Sequence, residues 1–183
     1  DCWYSQMACC IHQDIISTIN KLNAGSVSVP KSSVKRLLSS RFGTEVRDAG
    51  SELPVYVTDT RGGLCQPWTN RKCNDRIDVM HFAVTVIVRA DDVMKFMKEL
   101  CSEKEHIFAG FKGELQPQKY KHNQITILES SIEPVDRKSS EHRRYYYGTD
   151  AIVKLDLKCE YVFNRQGYDV IKPKSIQDDI TGA

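Results

Sequence analysis

Cysteine and histidine are the residues in this chain best equipped for chemistry. There are seven of the first and five of the second in 183 residues. Cys9-Cys10-Ile11-His12 brings thiols and an imidazole close together, which raises a metal reading. It is not the Cys-x-x-Cys-His of covalent haem attachment, and on a helix Cys9 and Cys10 project about 100° apart. Cys65 and Cys73 have no second pair nearby, unlike a zinc knuckle. Core or disulfide cysteines are the simpler reading, so no metal ligand and no cofactor is expected. Nucleophilic catalysis would need a base in reach of an activated Ser or Cys. No Gly-x-Ser-x-Gly elbow and no phosphate-binding glycine loop occurs. His81 falls on an expected strand, and His106, His122 and His142 in expected loops. No catalytic residue is assigned. An enzyme would need a buried Cys-His or Ser-His pair in a pocket.

The elements that would carry such residues follow from periodicity. Val153, Leu155, Leu157, Cys159, Tyr161 and Phe163 share one parity, and Lys154, Asp156, Lys158 and Glu160 the other. Side chains alternate across a strand, so Ala151 to Phe163 predicts one apolar and one wet, charged face. Such a sheet is usually antiparallel with helices on its dry side. Met80 to Arg89 and Ile125 to Glu133 predict two more strands. Val34, Leu38 and Phe42 predict a fourth, preferred over a short helix because Gly43 and Thr44 follow and serines weaken helices. Trp3, Met7, Ile11, Ile15, Ile19 and Leu22 form a helical stripe ended by Gly25. A second helix opens at an Asp91 cap and buries Val93, Phe96, Met97 and Leu100. Residues 106–122 carry the apolar Ile107, Phe108 and Phe111 but are broken by Gly110, Gly113 and Pro117, and predict an excursion between the second helix and the next strand. The order helix, strand, strand, helix, strand, strand predicts an α+β, ferredoxin-like αββ-αββ fold. Its four-stranded antiparallel sheet has both helices on one face. The whole of 1–183 would be one domain, with leading helix 1–23, a long loop 43–76 and an irregular tail 164–183.

Composition narrows the classes. Forty per cent hydrophobic and 27% charged residues are those of a globular domain, and a net charge of +2 suggests no polyanion partner. No apolar run approaches the roughly 20 residues of a membrane helix. The chain begins with Asp1 inside a helical pattern, so a membrane anchor or signal is expected upstream. Cys101 and Cys159 sit at apolar positions as core thiols. Cys65 and Cys73 would close a small disulfide ring in an oxidising compartment. The run His142-Arg143-Arg144-Tyr145-Tyr146-Tyr147 invites an RNA-binding reading, since a four-stranded sheet can stack bases on aromatics. The mixed charges of Lys154, Asp156, Lys158 and Glu160 make a poor stacking platform, and no nucleic-acid partner is expected. Tyrosines in such a run suit a core edge or a partner contact.

Several stretches resemble the soluble domain of PilO-like proteins, the inner-membrane alignment-complex components of type IV pili, and their type II secretion counterparts. They are Trp3 to Leu22 running into Val34-Lys35-Arg36-Leu37, and Phe82 to Cys101 with Ala90-Asp91-Asp92-Val93 at the junction. The third is Ile132-Glu133-Pro134-Val135-Asp136, followed by Tyr146-Tyr147-Gly148 and the last strand. Together they span residues 1–163. The resemblance implies a non-catalytic scaffold on the periplasmic side of the inner membrane, anchored by an N-terminal helix. It implies a homodimer or a heterodimer with a related pilus-assembly protein. Trp3 and Met7, at the start of a helix that could continue a coiled coil, are the first expected contact, and Tyr145, Tyr146 and Tyr147 the second. A small-molecule sensor or an RNA-binding domain on the same layer is the alternative, with a Cys/His enzyme behind both.

Overall fold

The computed structural model describes residues 2–42, 54–58, 67–108 and 116–181. The first helix, α1 (Cys2–Leu22), forms on the apolar stripe, and Asn23 closes it. The Asn23 side chain accepts from the Val34 N–H and donates to the Val34 carbonyl, both at 2.9 Å, and so steers the chain into β1 (Val34–Phe42). Next come β2 (Ile77–Arg89), α2 (Val93–Leu100), β3 (Lys104–Phe108), β4 (Gln118–Pro134) and β5 (Ile152–Asn164). A last helix, α3 (Lys174–Thr181), ends the described chain. Asp91 is not the cap of α2. A turn of 3-10 helix at Ala90–Asp92 precedes it, and the Asp92 side chain accepts from Ser33 and from Lys95 of α2 rather than from the helix's backbone N–H groups.

The strands lie in the order β1-β2-β5-β4-β3, every neighbouring pair antiparallel. Tyr56 bridges Met80 beyond the end of β1 and adds a short sixth strand. The sheet curls into a half-barrel with few helices, so the expected four-stranded ferredoxin-like layer is not formed. The difference arises in the stretch expected as an excursion. Residues 104–108 and 118–123 pair with each other, which makes β3 and extends β4 to 17 residues. β2 and β5 are 13 residues each. Twist accumulates along strands this long and coils the sheet.

One core lies between the sheet and α1 and α2. Met7, Ile11 and Ile15 of α1 and Phe96 and Leu100 of α2 pack on Phe82, Val84 and Val86 of β2 and Leu155, Leu157 and Tyr161 of β5. The opposite face of β2 is also buried. Ile87 packs with Tyr147 and Ile152, and Trp68 stacks on His81 at 4.0 Å between ring centroids. Glu160, expected on the wet face, is fully buried, where Arg71 and Thr69 donate to its carboxylate. Lys154, Asp156 and Lys158 keep partial exposure. The tail after β5 is not irregular throughout: Tyr168 and Ile176 belong to the main core.

Candidate functional site

Two constellations stand out, one buried and one exposed. The buried one centres on His106 of β3. Its Nε2 lies 3.0 Å from Asp14 Oδ2 of α1, and its Nδ1 contacts the hydroxyl of Tyr168. Tyr161 of β5 donates its hydroxyl proton to the same Asp14 oxygen. Asn123 of β4 donates to Tyr168 Oη at 2.8 Å and accepts from the Asn164 N–H at 2.9 Å. Four elements and the turn after β5 therefore meet at one imidazole. Below it, Lys104 Nζ donates to the Glu99 carbonyl at 3.0 Å and reaches Thr18.

The half-buried Cys10 thiol also hydrogen-bonds His106, so a cysteine, a histidine and a carboxylate do converge. Burial is the largest single effect and works against the imidazolium, but the hydrogen bonds and charges of Asp14 and Cys10 together outweigh it and hold the His106 pKa up at about 9. The ring is then charged at neutral pH, with Nε2–H directed at Asp14 and Nδ1–H at the Tyr168 hydroxyl. Burial, with the Asp14 charge beside it, also pushes the Tyr161 phenol well above its ordinary range. The arrangement ties α1 and the turn after β5 to the sheet. Among the described residues, no three His, Cys, Asp or Glu side chains are placed to hold a metal ion.

The sequence carried one signal of this cluster. Asp14 follows Met7 and Ile11 and precedes Thr18 on the buried stripe of α1, where an acid needs a partner. Its partner, His106, sits not in a loop but on β3, and His122 lies on β4.

The exposed constellation is the loop between β4 and β5. Arg137 donates to the carbonyls of Gly148 and Asp150, at the far end of the loop. Tyr147 is buried, and its hydroxyl meets His142 Nδ1 at 3.0 Å. Gly148 takes a φ of +82° against Pro30. Between these anchors Tyr145 and Tyr146 stay 49% and 73% exposed. The Arg36 guanidinium stacks 3.9 Å from the Tyr145 ring centroid, and Tyr147 stacks on its ring at 6.1 Å.

The other expected contact residues lie elsewhere. Trp3 and Met7 are interior, 4% and 1% exposed, and Trp3 Nε1–H donates to the Tyr56 hydroxyl at 2.9 Å. A partner docking on the folded domain does not reach them, because the stripe expected to meet another chain meets this chain's own sheet. Tyr147 likewise serves the core, leaving Tyr145 and Tyr146 as surface residues. Cys73 is a free thiol whose Sγ accepts from the Val79 N–H at 3.2 Å, and burial pushes its pKa up to about 12. Cys65, its expected disulfide partner, lies outside the described residues. Comparison with protein-family models, curated proteins and solved structures finds no match to this chain.

Proposed function

We propose that this chain is a non-catalytic interaction domain that holds a protein partner through the loop after β4, with Tyr145 and Tyr146 as its contact residues. The observation that carries this reading is the pair of exposed tyrosines on a loop tied down at both ends. A tyrosine offers large apolar area and a polar tip with few rotors to freeze, and a pre-set loop lowers the ordering cost of binding. Such residues are the usual anchors of interfaces. The closed hydrogen bonding of His106 favours the non-catalytic reading. The setting we propose follows the resemblance to PilO-like domains: a membrane-anchored scaffold of pilus or secretion assembly, on the periplasmic side of the inner membrane, paired with itself or a related assembly protein.

The test places a photo-crosslinking phenylalanine analogue at position 146 of the protein in its own cells and identifies the adducts by mass spectrometry. The affinity of the identified protein is then measured against the unmodified chain and against Tyr145→Ala/Tyr146→Ala. We expect binding weaker by roughly tenfold or more, with circular dichroism showing the fold retained. An equal affinity, or adducts no different from those at a remote surface position, would overturn the reading.

A further inference from the structure

Cys10 is the thiol that the buried cluster reaches. It lies on α1 one turn ahead of Asp14, so the two side chains share a helix face, and Asp14 meets β3 there. The Cys10 sulfur hydrogen-bonds the His106 ring, and that ring is fixed from its other sides. Asp14 Oδ2 stands 3.0 Å from Nε2, and the Tyr168 hydroxyl meets Nδ1. Tyr161 holds the Asp14 carboxylate in turn, and Asn123 holds the Tyr168 hydroxyl. A cysteine, a histidine and a carboxylate therefore stand in the order nucleophile, partner and orienting group. The attacking form of a cysteine is its thiolate, and a cation beside the sulfur favours it. His106 is that cation at neutral pH.

The other thiols are set differently. Among the described cysteines, Cys159 is fully buried, and Cys73 and Cys101 are half-buried. Burial pushes the pKa of all three up, which keeps them as thiols. Cys2 and Cys9 are exposed on the outer side of α1. Cys10 combines partial exposure with an imidazolium at its sulfur.

We propose that Cys10 is a covalent modification site, a thiol that takes small disulfides from solution into a mixed disulfide, with His106 as its activating partner. The Cys10 thiol gives up its proton, and its sulfur attacks one sulfur of the reagent. The reagent's S–S bond breaks as the new one forms, and the departing thiolate takes up a proton. One disulfide is consumed and one is made, so no further oxidant enters. The adduct replaces the hydrogen bond between Cys10 and His106 and stands where α1 meets β3. The reaction is stoichiometric, so it adds a chemistry to the interaction domain without turnover, and it does not involve the tyrosine loop.

The test treats the folded chain at neutral pH with the disulfide of mercaptoethanol, a small and uncharged reagent, and follows each cysteine by peptide mass spectrometry. Exposure alone would make Cys2 and Cys9 the fastest. We expect Cys10 to outpace Cys9 by roughly tenfold or more. In His106→Gln the Cys10 rate should fall to that of Cys9 or below, with Cys2 and Cys9 unchanged. Asp14→Asn takes away the carboxylate that supports the imidazolium, and should slow Cys10 in the same direction. The sign separates chemistry from structure. If His106 only tied α1 to the sheet, its loss would bare the Cys10 sulfur and speed the reaction. Circular dichroism checks that each variant is folded, and the comparison of Cys10 with Cys9 in the unsubstituted chain decides the matter even where one is not. Tyr145→Ala/Tyr146→Ala should keep the Cys10 rate, so failure of the partner loop and failure of the thiol are separate results. A Cys10 no faster than Cys9 in the unsubstituted chain, or a Cys10 rate in folded His106→Gln that equals or exceeds the unsubstituted one, would overturn the inference.

Discussion

His106 is the residue whose charge the fold most clearly controls. Its pKa rises from 6.5 to about 9 in the folded protein, burial opposing the change and Asp14 driving it. A group with a raised folded pKa adds stability that is complete below the unfolded value and is lost as pH climbs through the folded one. The window here runs from about pH 6.5 to about pH 9. A shift of this size is worth on the order of 3 kcal/mol. We expect the urea midpoint to fall across that window, as read by equilibrium denaturation at several pH values. In Asp14→Asn the imidazolium loses its carboxylate and burial is left to lower the ring's pKa, so the decline should shrink or reverse. In His106→Gln the decline should flatten. A midpoint constant from pH 6.5 to 9 in the unmodified chain would refute the charged-staple account.

At the scale of elements, the β4–β5 loop depends on one glycine, and a second glycine serves as its control. Gly148 and Gly25 both hold positive φ, +82° and +79°. A Cβ on Gly25 would meet nothing within 4 Å, whereas one on Gly148 would stand 2.7 Å from the Pro30 carbonyl oxygen. That oxygen also accepts from the buried Lys35 ammonium at 2.7 Å, so pushing it aside disturbs a second bond. Gly25→Ala should cost about 1 kcal/mol, the backbone term alone. Gly148→Ala should cost about 2 to 3 kcal/mol, because displacement adds to the same backbone term. Hydrogen exchange should show the Gly148 variant loosening Tyr145 and Tyr146, which Gly25→Ala leaves alone. The legibility of the elements follows the range of the forces that make them. The stripe of α1 and the parity of β5 are local patterns, and both elements formed where periodicity put them. Residues 104–108 and 118–123 held no such pattern. Their strand identity comes from pairing with each other, which the Gly and Pro between them conceal. A stripe also names a buried face without naming its cover, which is why Trp3 and Met7 read as a seam for another chain. Asp14 was legible as an oddity on that stripe, but its partner lies 92 residues away.

The whole molecule is closed by its C-terminal segment, and a single ion pair makes this testable. Lys172, just ahead of α3, reaches back to Asp78 at the start of β2; their side chains are 0% and 1% exposed. Lys172 also lies 3.2 Å from Asp169, and its ammonium sits 5.3 Å from the Tyr56 ring centroid. Tyr56 in turn holds Trp3 of α1, so the two ends of the described chain meet through one aromatic ring. Burial raises the Asp78 pKa, and Lys172 pulls it back down. Removing the lysine leaves a carboxylate in the interior without its nearest cation. Lys172→Met should therefore cost about 3 to 5 kcal/mol, the usual penalty for breaking a buried pair from one side. Asp78→Asn/Lys172→Met removes both charges and should recover much of that loss. The sign of the pH response separates this cause from a packing defect. Without Lys172, the folded Asp78 pKa moves further above its unfolded value of 3.8, so the ionised form is what destabilises the fold. The deficit of Lys172→Met relative to the unmodified chain should then shrink as pH falls from about 7 toward 5, where Asp78 takes up a proton. Thermal melts of the single and double variants at both pH values measure this. A deficit independent of pH, or a double variant as unstable as the single one, would mean that Lys172 acts through its aliphatic stem and Tyr56 rather than through charge.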